Sequence, residues 1–354
     1  MDKDTFRQNI DRLDSEILDL LEKRIECAKE IGKIKMAQGE DVYVPSREAK
    51  VFENLLAKNA GRISEDAIKA IYREIISASI SAEKMLRVAY LGPVATFTQQ
   101  AAQNRFGSSV EYRTMHSIPD IFASVELGEA DYGVVPIENS TEGAVFHSMD
   151  MLAESRLMIV GQVYLPIEHC LISRGKMDKI RRVCSKDQAI GQCRNWLRRN
   201  LPEADIEYVE STGKSVQMAQ ENPEVAAIAS AIAGDYYGVP ILARGIQDKK
   251  DNVTRFLVIG KKPAPRQDGV AYKTSVVMSL NDRPGALCEM IMPFNRQNIN
   301  LTRIESRPSR KKPWDYLFFI DFVGHWEDEA SREVFKELES VLPTIKWLGS
   351  YPMA

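Results

Sequence analysis

The chain has 354 residues, 47 Lys+Arg against 50 Asp+Glu, a formal net charge of −3 and 44% apolar residues. That is too apolar for a disordered chain, and the near-even charge balance argues against nucleic acid as the main partner. At roughly 100–200 residues per domain the length implies two or three domains, and no apolar run approaches the roughly 18–20 residues that span a bilayer.

Residues 4–84 read as helix. Phe6, Ile10, Leu13, Ile17, Leu20, Arg24, Cys27, Ile31 and Ile34 follow a 3-4 spacing, which predicts one helix of about 35 residues and about 50 Å. Its N-terminal stretch has no signal-peptide core, so a cytoplasmic location is expected. Gly39-Glu40-Asp41 interrupts the pattern, Pro45-Ser46 opens a second helix and Gly61 ends it. Ser64, with Glu65 and Asp66, starts a third that turns Ile68, Ile71, Tyr72, Ile75, Ile76, Ser79 and Glu83 inward. Two short helices cannot cover the long stripe, so pairing with a second copy is expected. Arg24 stands where the stripe asks for an apolar residue, and Lys35 follows about three turns later. On pattern alone, an ion-paired coiled-coil edge or a register-setting buried pair is the favoured explanation of these charges.

The order and spacing of Arg7, Arg24, Lys35, Arg47, Glu48, Ser79 and Glu83 resemble the all-helical chorismate mutase family over residues 1–86. The resemblance implies an intertwined dimer. It gives the substrate carboxylates to Arg7, Arg24 and Arg47, the ether oxygen to Lys35 and Glu83, and the ring hydroxyl and a carboxylate to Glu48 and Ser79. Such a rearrangement needs a fixed conformer and donors at the ether oxygen, with no cofactor. Arg7 and Arg24 lie about 25 Å apart along one helix and about 100° out of phase, so Arg7 must serve a partner's site. Val44 stands where some members carry Asp. Glu83 can donate to the ether oxygen only when protonated, which predicts a buried carboxyl with a raised pKa.

From Arg87 the period changes. Short apolar runs (VAYLG, YGVVPIE, LMIVGQVYLPI, VAAIAS, FLVIG) alternate with helical stretches, which predicts α/β structure with parallel strands over residues 87–262, in two lobes about a cleft. Neither GxGxxG after a strand nor GxxxxGK[ST] occurs, so a nicotinamide enzyme or P-loop NTPase is disfavoured. The cysteines (Cys27, Cys170, Cys184, Cys193, Cys288) are scattered, which disfavours disulfides, and no His/Cys spacing suits a metal. Cys193 reads as packing. Three polar clusters stand at strand ends: GPVATFTQQAA with Thr96, Ile137–Gly143, and Asn252–Phe256. Each alone is also what a helix cap or turn looks like. In this order they resemble the prephenate dehydratase family, on YLGPVATFTQQAA, DYGVVPIENSTEGAV, HCL, QAIGQCRNWL, AAIAS and DNVTRFLVIG. The resemblance implies that Thr254 acts at the departing hydroxyl, that Arg255 orders the carboxylate site, that Phe256 belongs to the substrate-binding set, and that Thr96, Asn139, Ser140 and Thr141 line the cleft. Val94-Ala95 departs from the Glu-Gly common before Thr-Phe, and Lys186-Asp187 from His-Pro. Ser211-Thr212 also follows a strand and faces the cleft in this reading.

KKPAPRQDG forms a linker. Residues 272–354 then order as β-α-β-β-α-β, a ferredoxin-like α+β pattern. Asn281–Leu287 (with Gly285, Ala286 and Leu287) and Glu305-Ser306-Arg307-Pro308 resemble the amino-acid-binding ACT domain, with Asn300 and Leu301 nearby. That resemblance implies L-phenylalanine as feedback effector, bound between domains of a dimer or tetramer at a backbone cradle opened by Gly285.

The three segments together resemble the bifunctional chorismate mutase–prephenate dehydratase family, implying conversion of chorismate through prephenate to phenylpyruvate without cofactor or metal. A solute receptor with an ACT sensor, an enzyme acting on arogenate, and a first domain kept only for dimerisation are the alternatives. Expected partners are small molecules and further copies of the chain, not nucleic acid or membrane.

Overall fold

The computed structural model describes residues 2–309 and 316–353. The chain divides into two compact units: Met1–Arg87 with Gln103–Glu111 and Pro265–Val270, and the remainder.

The first unit is built on α1 (Lys3–Gln38), α2 (Pro45–Lys58) and α3 (Glu65–Glu83). Their ends are set locally. Asp2 caps α1 by accepting the Thr5 N–H, and Gly39 closes it in the left-handed region at φ 69. Pro45 opens α2, where a missing N–H costs no helical hydrogen bond, and Ser64 caps α3 through the Ala67 N–H. Phe6, Ile10, Leu13, Ile17 and Leu20 on α1 are 48–65% exposed, so the predicted apolar stripe is present and uncovered in the single chain. Two segments beyond residue 86 belong to this unit. The Ser46 hydroxyl donates to the Pro265 carbonyl at 2.7 Å, and Arg105 pairs with Glu48 at 3.2 Å.

The second unit begins with β1 (Arg87–Leu91), α4 (Phe97–Phe106), β2 (Glu111–Met115), α5 (Ile118–Leu127), β3 (Tyr132–Asn139), β4 (Gly143–Ala144), α6 (Phe146–Glu154) and β5 (Met158–Pro166). A second lobe follows: β6 (Cys170–Ile172), β7 (Arg182–Ser185), α7 (Asp187–Gln192), α8 (Arg194–Asn200), β8 (Asp205–Tyr208), α9 (Thr212–Glu221), β9 (Val225–Ala229), α10 (Ala231–Tyr237) and β10 (Ile241–Ala243). The chain then returns as β11 (Val253–Gly260) to the first sheet, whose order is β2-β1-β3-β11-β5 with β4 beside β3. The second sheet runs β10-β6-β9-β7-β8. Two lobes are thus present, but the sheets are mixed rather than parallel. β1 and β3 run parallel, whereas β11 is antiparallel to both its neighbours. A strand that arrives from the far lobe enters from the opposite end, and nothing in its own residues announces that direction.

The last segment is β12 (Tyr272–Ser279), α11 (Ala286–Arg296), β13 (Leu301–Pro308), β14 (Tyr316–Val323), α12 (Glu329–Leu338) and β15 (Thr344–Pro352), in sheet order β13-β14-β12-β15. One face of this sheet packs α11 and α12 through Met290, Phe294, Val334, Phe335 and Leu338. The other face joins the first lobe: Val277, Phe319, Leu348 and Tyr351 share a core with Ile137, Met149, Leu257 and Ile259. Each buried side chain of this size contributes roughly 1.5–3 kcal/mol.

Candidate active sites

In the helical unit, Arg24 donates to the Ser79 hydroxyl and to the Ile75 carbonyl, the latter at 3.4 Å. Lys35 Nζ lies 2.8 Å from the Val42 carbonyl and 3.4 Å from Glu83 Oε2. Arg24, Ser79, Lys35 and Glu83 are therefore brought together between α1 and α3. Burial pushes the Glu83 carboxyl above its ordinary value, against the pull of Lys35 and Arg24. Gly32, which no residue pattern singles out, permits this approach: a Cβ there would sit 2.9 Å from Glu83 Cβ.

The other predicted residues are elsewhere. Glu48 is buried, with its carboxylate held by Arg73 at 3.0 Å and Arg105 at 3.2 Å, so it does not face Arg24 and Ser79 as an open acceptor. Arg47 is exposed at the start of α2. Arg7 is exposed and pairs with Asp4 at 3.2 Å, far down α1 from Arg24. Val44 is the non-capping N-cap residue of α2.

In the second unit, Thr254 and Asn139 are cross-strand partners on β11 and β3. Asn139 Nδ2 donates to Thr254 Oγ1 at 2.8 Å and to Asn252 Oδ1 at 2.7 Å. Asn252 Nδ2 donates to Gln192 Oε1 at 3.1 Å, and Gln192 Nε2 donates to Glu142 at 2.9 Å. The same Gln192 oxygen lies 2.8 Å from His169 Nε2. Since that oxygen can only accept, His169 carries its proton on Nε2. Burial holds the imidazole below its ordinary pKa and hence neutral. Asn252, Gln192 and His169 extend the site beyond the residues singled out above. Each lies in a motif that sequence reading quotes, but only the fold connects them.

Three of the expected cleft residues are used locally. Thr96 donates to the Leu91 carbonyl at 3.0 Å and accepts the Gln99 N–H, which makes it the cap of α4. Ser140 stitches two loops, accepting the Val253 N–H at 2.9 Å and donating to the Asp251 carbonyl. The Thr141 N–H closes an Asx turn on Asn139 Oδ1 at 2.9 Å. Ser211 caps α9 at the Lys214 N–H, and a Cβ at Gly213 would lie 3.3 Å from Pro93, so the starts of α4 and α9 adjoin. Ala95 takes φ 64, the left-handed region that favours glycine, which accounts for glycine at that position in the family pattern. Cys193 is fully buried, with its thiol pushed up to about 12, in keeping with packing.

Neighbours on a strand face opposite ways, and Arg255 turns from the Thr254 side to the back of the sheet. It is 3% exposed there and donates to Gln162 at 3.0 Å, Glu138 at 3.0 Å, Asp321 at 2.5 Å and the Tyr351 hydroxyl at 2.8 Å. Its donors are engaged there, on the side of the strand away from Thr254. Phe256 shares the Thr254 face and is buried.

In the last segment, Gly285 precedes α11 at φ 85 with open space around it. Ala286 is buried, Leu287 is 44% exposed, and Asn281 is exposed. The Asn300 carbonyl accepts the Val323 N–H, and Leu301 begins β13 half-buried. Strand alternation separates Glu305 and Arg307 from Ser306, which is exposed on the opposite face. Arg307 is buried, forms a two-point ion pair with Asp150 and stacks 4.6 Å from the Phe146 ring. The three do not converge on one pocket.

Among the described residues no His/Cys/Asp/Glu cluster is arranged to hold a metal, and no helix is long and apolar enough to cross a membrane.

Three families match the chain in order: chorismate mutase type II at residues 6–84, prephenate dehydratase at 88–264 and the ACT domain at 274–340. A bifunctional chorismate mutase/prephenate dehydratase of Aquifex aeolicus is 46% identical over 99% of this chain and 97% of its own. One of Stutzerimonas stutzeri is 41% identical over the same shares. Among solved structures, a prephenate dehydratase of Arthrobacter aurescens in complex with L-Phe superposes with a TM-score of 0.71 at 34% identity, covering 76% of this chain and 90% of that one. A prephenate dehydratase of Staphylococcus aureus gives 0.64 at 29%, covering 75% and 100%.

Proposed function

Because the chain belongs to the bifunctional chorismate mutase/prephenate dehydratase family, we propose that the two residue groups described above carry its two reactions. The enzyme rearranges chorismate to prephenate and converts prephenate to phenylpyruvate in phenylalanine biosynthesis, under feedback by L-phenylalanine.

For the rearrangement, Arg24 binds a carboxylate, while Lys35 and protonated Glu83 donate to the ether oxygen as it gains charge. Ser79 holds Arg24. Arg7 and the uncovered stripe of α1 serve a second copy of the chain, so the site is complete only in a dimer. Arg47, exposed at the start of α2, supplies the remaining cation. Glu48, already paired to Arg73 and Arg105, acts by holding α2 in place rather than by touching the ring hydroxyl.

For the dehydration, the C–CO2 bond breaks, its electron pair enters the ring, and the ring hydroxyl leaves as water once protonated. The Asn139–Thr254 hydrogen bond is the observation that carries this reading. Thr254 Oγ1 accepts from Asn139, so its own hydrogen is directed elsewhere, toward the leaving hydroxyl. Asn252, Gln192 and neutral His169 fix the Asn139 amide in that orientation. The adjoining starts of α4 and α9 favour the two carboxylates of prephenate.

The test is a coupled assay of the full chain with chorismate. Thr254→Ala should lower phenylpyruvate formation by about a thousandfold and leave the mutase rate within about twofold. Retained dehydration would remove Thr254 from the reaction.

A further inference from the structure

Asn139 and Thr254, on the cleft face, have neighbours on the back of the same strands. Glu138 and Arg255 are themselves cross-strand partners, and Arg255 Nη1 lies 3.0 Å from Glu138 Oε1. Each working side chain is thus one peptide unit from a charged side chain aimed the opposite way.

Those two charges are held by the ACT sheet. Arg255 reaches Asp321 Oδ2 on β14 and the Tyr351 hydroxyl on β15. Glu138 Oε2 lies 2.9 Å from Arg303 Nε on β13. Arg303 and Ser275 are the register partners of Asp321 on either side, and the Ser275 hydroxyl joins Asp321 to Tyr351. The ion pairs run as a chain, Arg303–Glu138–Arg255–Asp321, with Glu305 3.9 Å from Arg303; Arg255 and Asp321 are buried against the apolar core of Ile137, Leu257, Val277, Phe319 and Leu348, and Glu138 is half-buried at its edge. Such a set is sensitive to position: in a low-dielectric site a charge deprived of its partner is strongly disfavoured, so partners move together or the set rearranges.

The neighbouring helix is tied to the same sheet. α6 follows the Asn139–Glu142 loop after the short β4. Its Asp150 pairs with Arg307, and Lys346 Nζ donates to the carbonyls of Leu152, Ala153 and Ser155 at its end. The segment bearing Asn139 is therefore anchored to the ACT sheet before and after. β11 also has a register shift against β3 between Arg255 and Phe256, beside the proposed working residue.

We infer that Glu138 and Arg255 are positioning residues for dehydration, and that the Arg303–Glu138–Arg255–Asp321 chain of ion pairs is the link by which the ACT domain governs the Asn139–Thr254 pair. The inference rests on the assignment of dehydration to Thr254. A ligand that shifts the ACT sheet drags Asp321 and Tyr351, and with them the backbone that presents Thr254.

Asp321→Asn and Tyr351→Phe in the full chain test it, since both keep side-chain size. Prephenate kcat and KM, L-phenylalanine binding by calorimetry and the residual rate at saturating L-phenylalanine are measured, with melting curves as the folding control. Asp321→Asn should lower kcat about tenfold with KM within about threefold, bind L-phenylalanine within about threefold of wild type, and respond weakly to it. Tyr351→Phe should move the same quantities by about threefold, and it carries the test alone if Asp321→Asn does not fold. Wild-type kcat with full inhibition in both variants overturns the inference. So does inhibition lost only because L-phenylalanine no longer binds. Thr254→Ala run in parallel separates the failures: if it still dehydrates prephenate, the catalytic assignment has failed, whereas an inactive Thr254→Ala beside unaltered Asp321 and Tyr351 variants sinks the link alone.

Discussion

In the proposed rearrangement, Glu83 sets the pH behaviour of the first reaction. Burial raises its pKa while Lys35, 3.4 Å away, opposes the rise, and burial is the larger effect. Only the protonated carboxyl can donate to the ether oxygen. Mutase turnover should therefore be full where Glu83 holds its proton and fall as pH rises through the raised pKa. Glu83→Gln donates at every pH, so its profile between about pH 5 and 9 should be flat where the parent declines. A variant that declines with the parent would show that another group titrates. Residue type and spacing sufficed to gather Arg24, Lys35, Ser79 and Glu83. They do not reveal the partners of Glu48 and Arg255, for a common reason: both charges are paired with residues distant in sequence, Arg105 and Asp321. For Arg255 a local cue existed, since strand alternation alone sets it opposite Thr254.

At the scale of elements, α1 ends where its own residues say it should, because Asp2 and Gly39 act through neighbours in the chain. What α1 is for depends on the face it leaves open. Phe6, Ile10, Leu13, Ile17 and Leu20 recur at 3-4 spacing and remain about half exposed or more. Burying five such side chains on each of two copies is worth on the order of 10 kcal/mol before association entropy, enough to hold a dimer. Ile10→Asp combined with Ile17→Asp should then yield a monomer by light scattering and lower the mutase rate at least about a hundredfold, since Arg7 would no longer reach a neighbour's site. Dehydration should change by less than about threefold. A monomer with full mutase activity would refute the shared site. β11 shows the reverse case. Its apolar run marks a strand, yet its antiparallel place between β3 and β5 follows from a path through the whole second lobe, which no local pattern encodes.

At the scale of the whole molecule, the helical unit draws on residues 103–111 and 265–270, segments that flank the dehydratase strands in sequence. A boundary read from a change of period falls near residue 86 because period reports elements, not the contacts that complete a unit. The ACT segment illustrates the same limit. Its β-α-β-β-α-β order is legible, whereas the sheet face it gives to the first lobe is set by Val277, Phe319, Leu348 and Tyr351 meeting partners more than a hundred residues away, Ile137 and Met149 among them. Regulation should therefore be separable from catalysis at a site away from that shared core. Gly285 offers one. It stands at φ 85 ahead of α11, with nothing within 4 Å of where a Cβ would stand, so an added side chain meets strain of about 1–2 kcal/mol but no clash. Asp is among the residues that tolerate this region best, and its carboxylate would occupy the N-terminus of α11, where the carboxylate of an amino acid would otherwise be favoured. Gly285→Asp should thus keep its uninhibited dehydratase rate within about twofold while losing response to L-phenylalanine at concentrations that arrest the parent. If the variant is still arrested, the effector is held elsewhere on the ACT segment. If it loses basal dehydration as well, the turn before α11 supports the working strands directly, and catalysis and control share more of the structure than the Asp321 link alone.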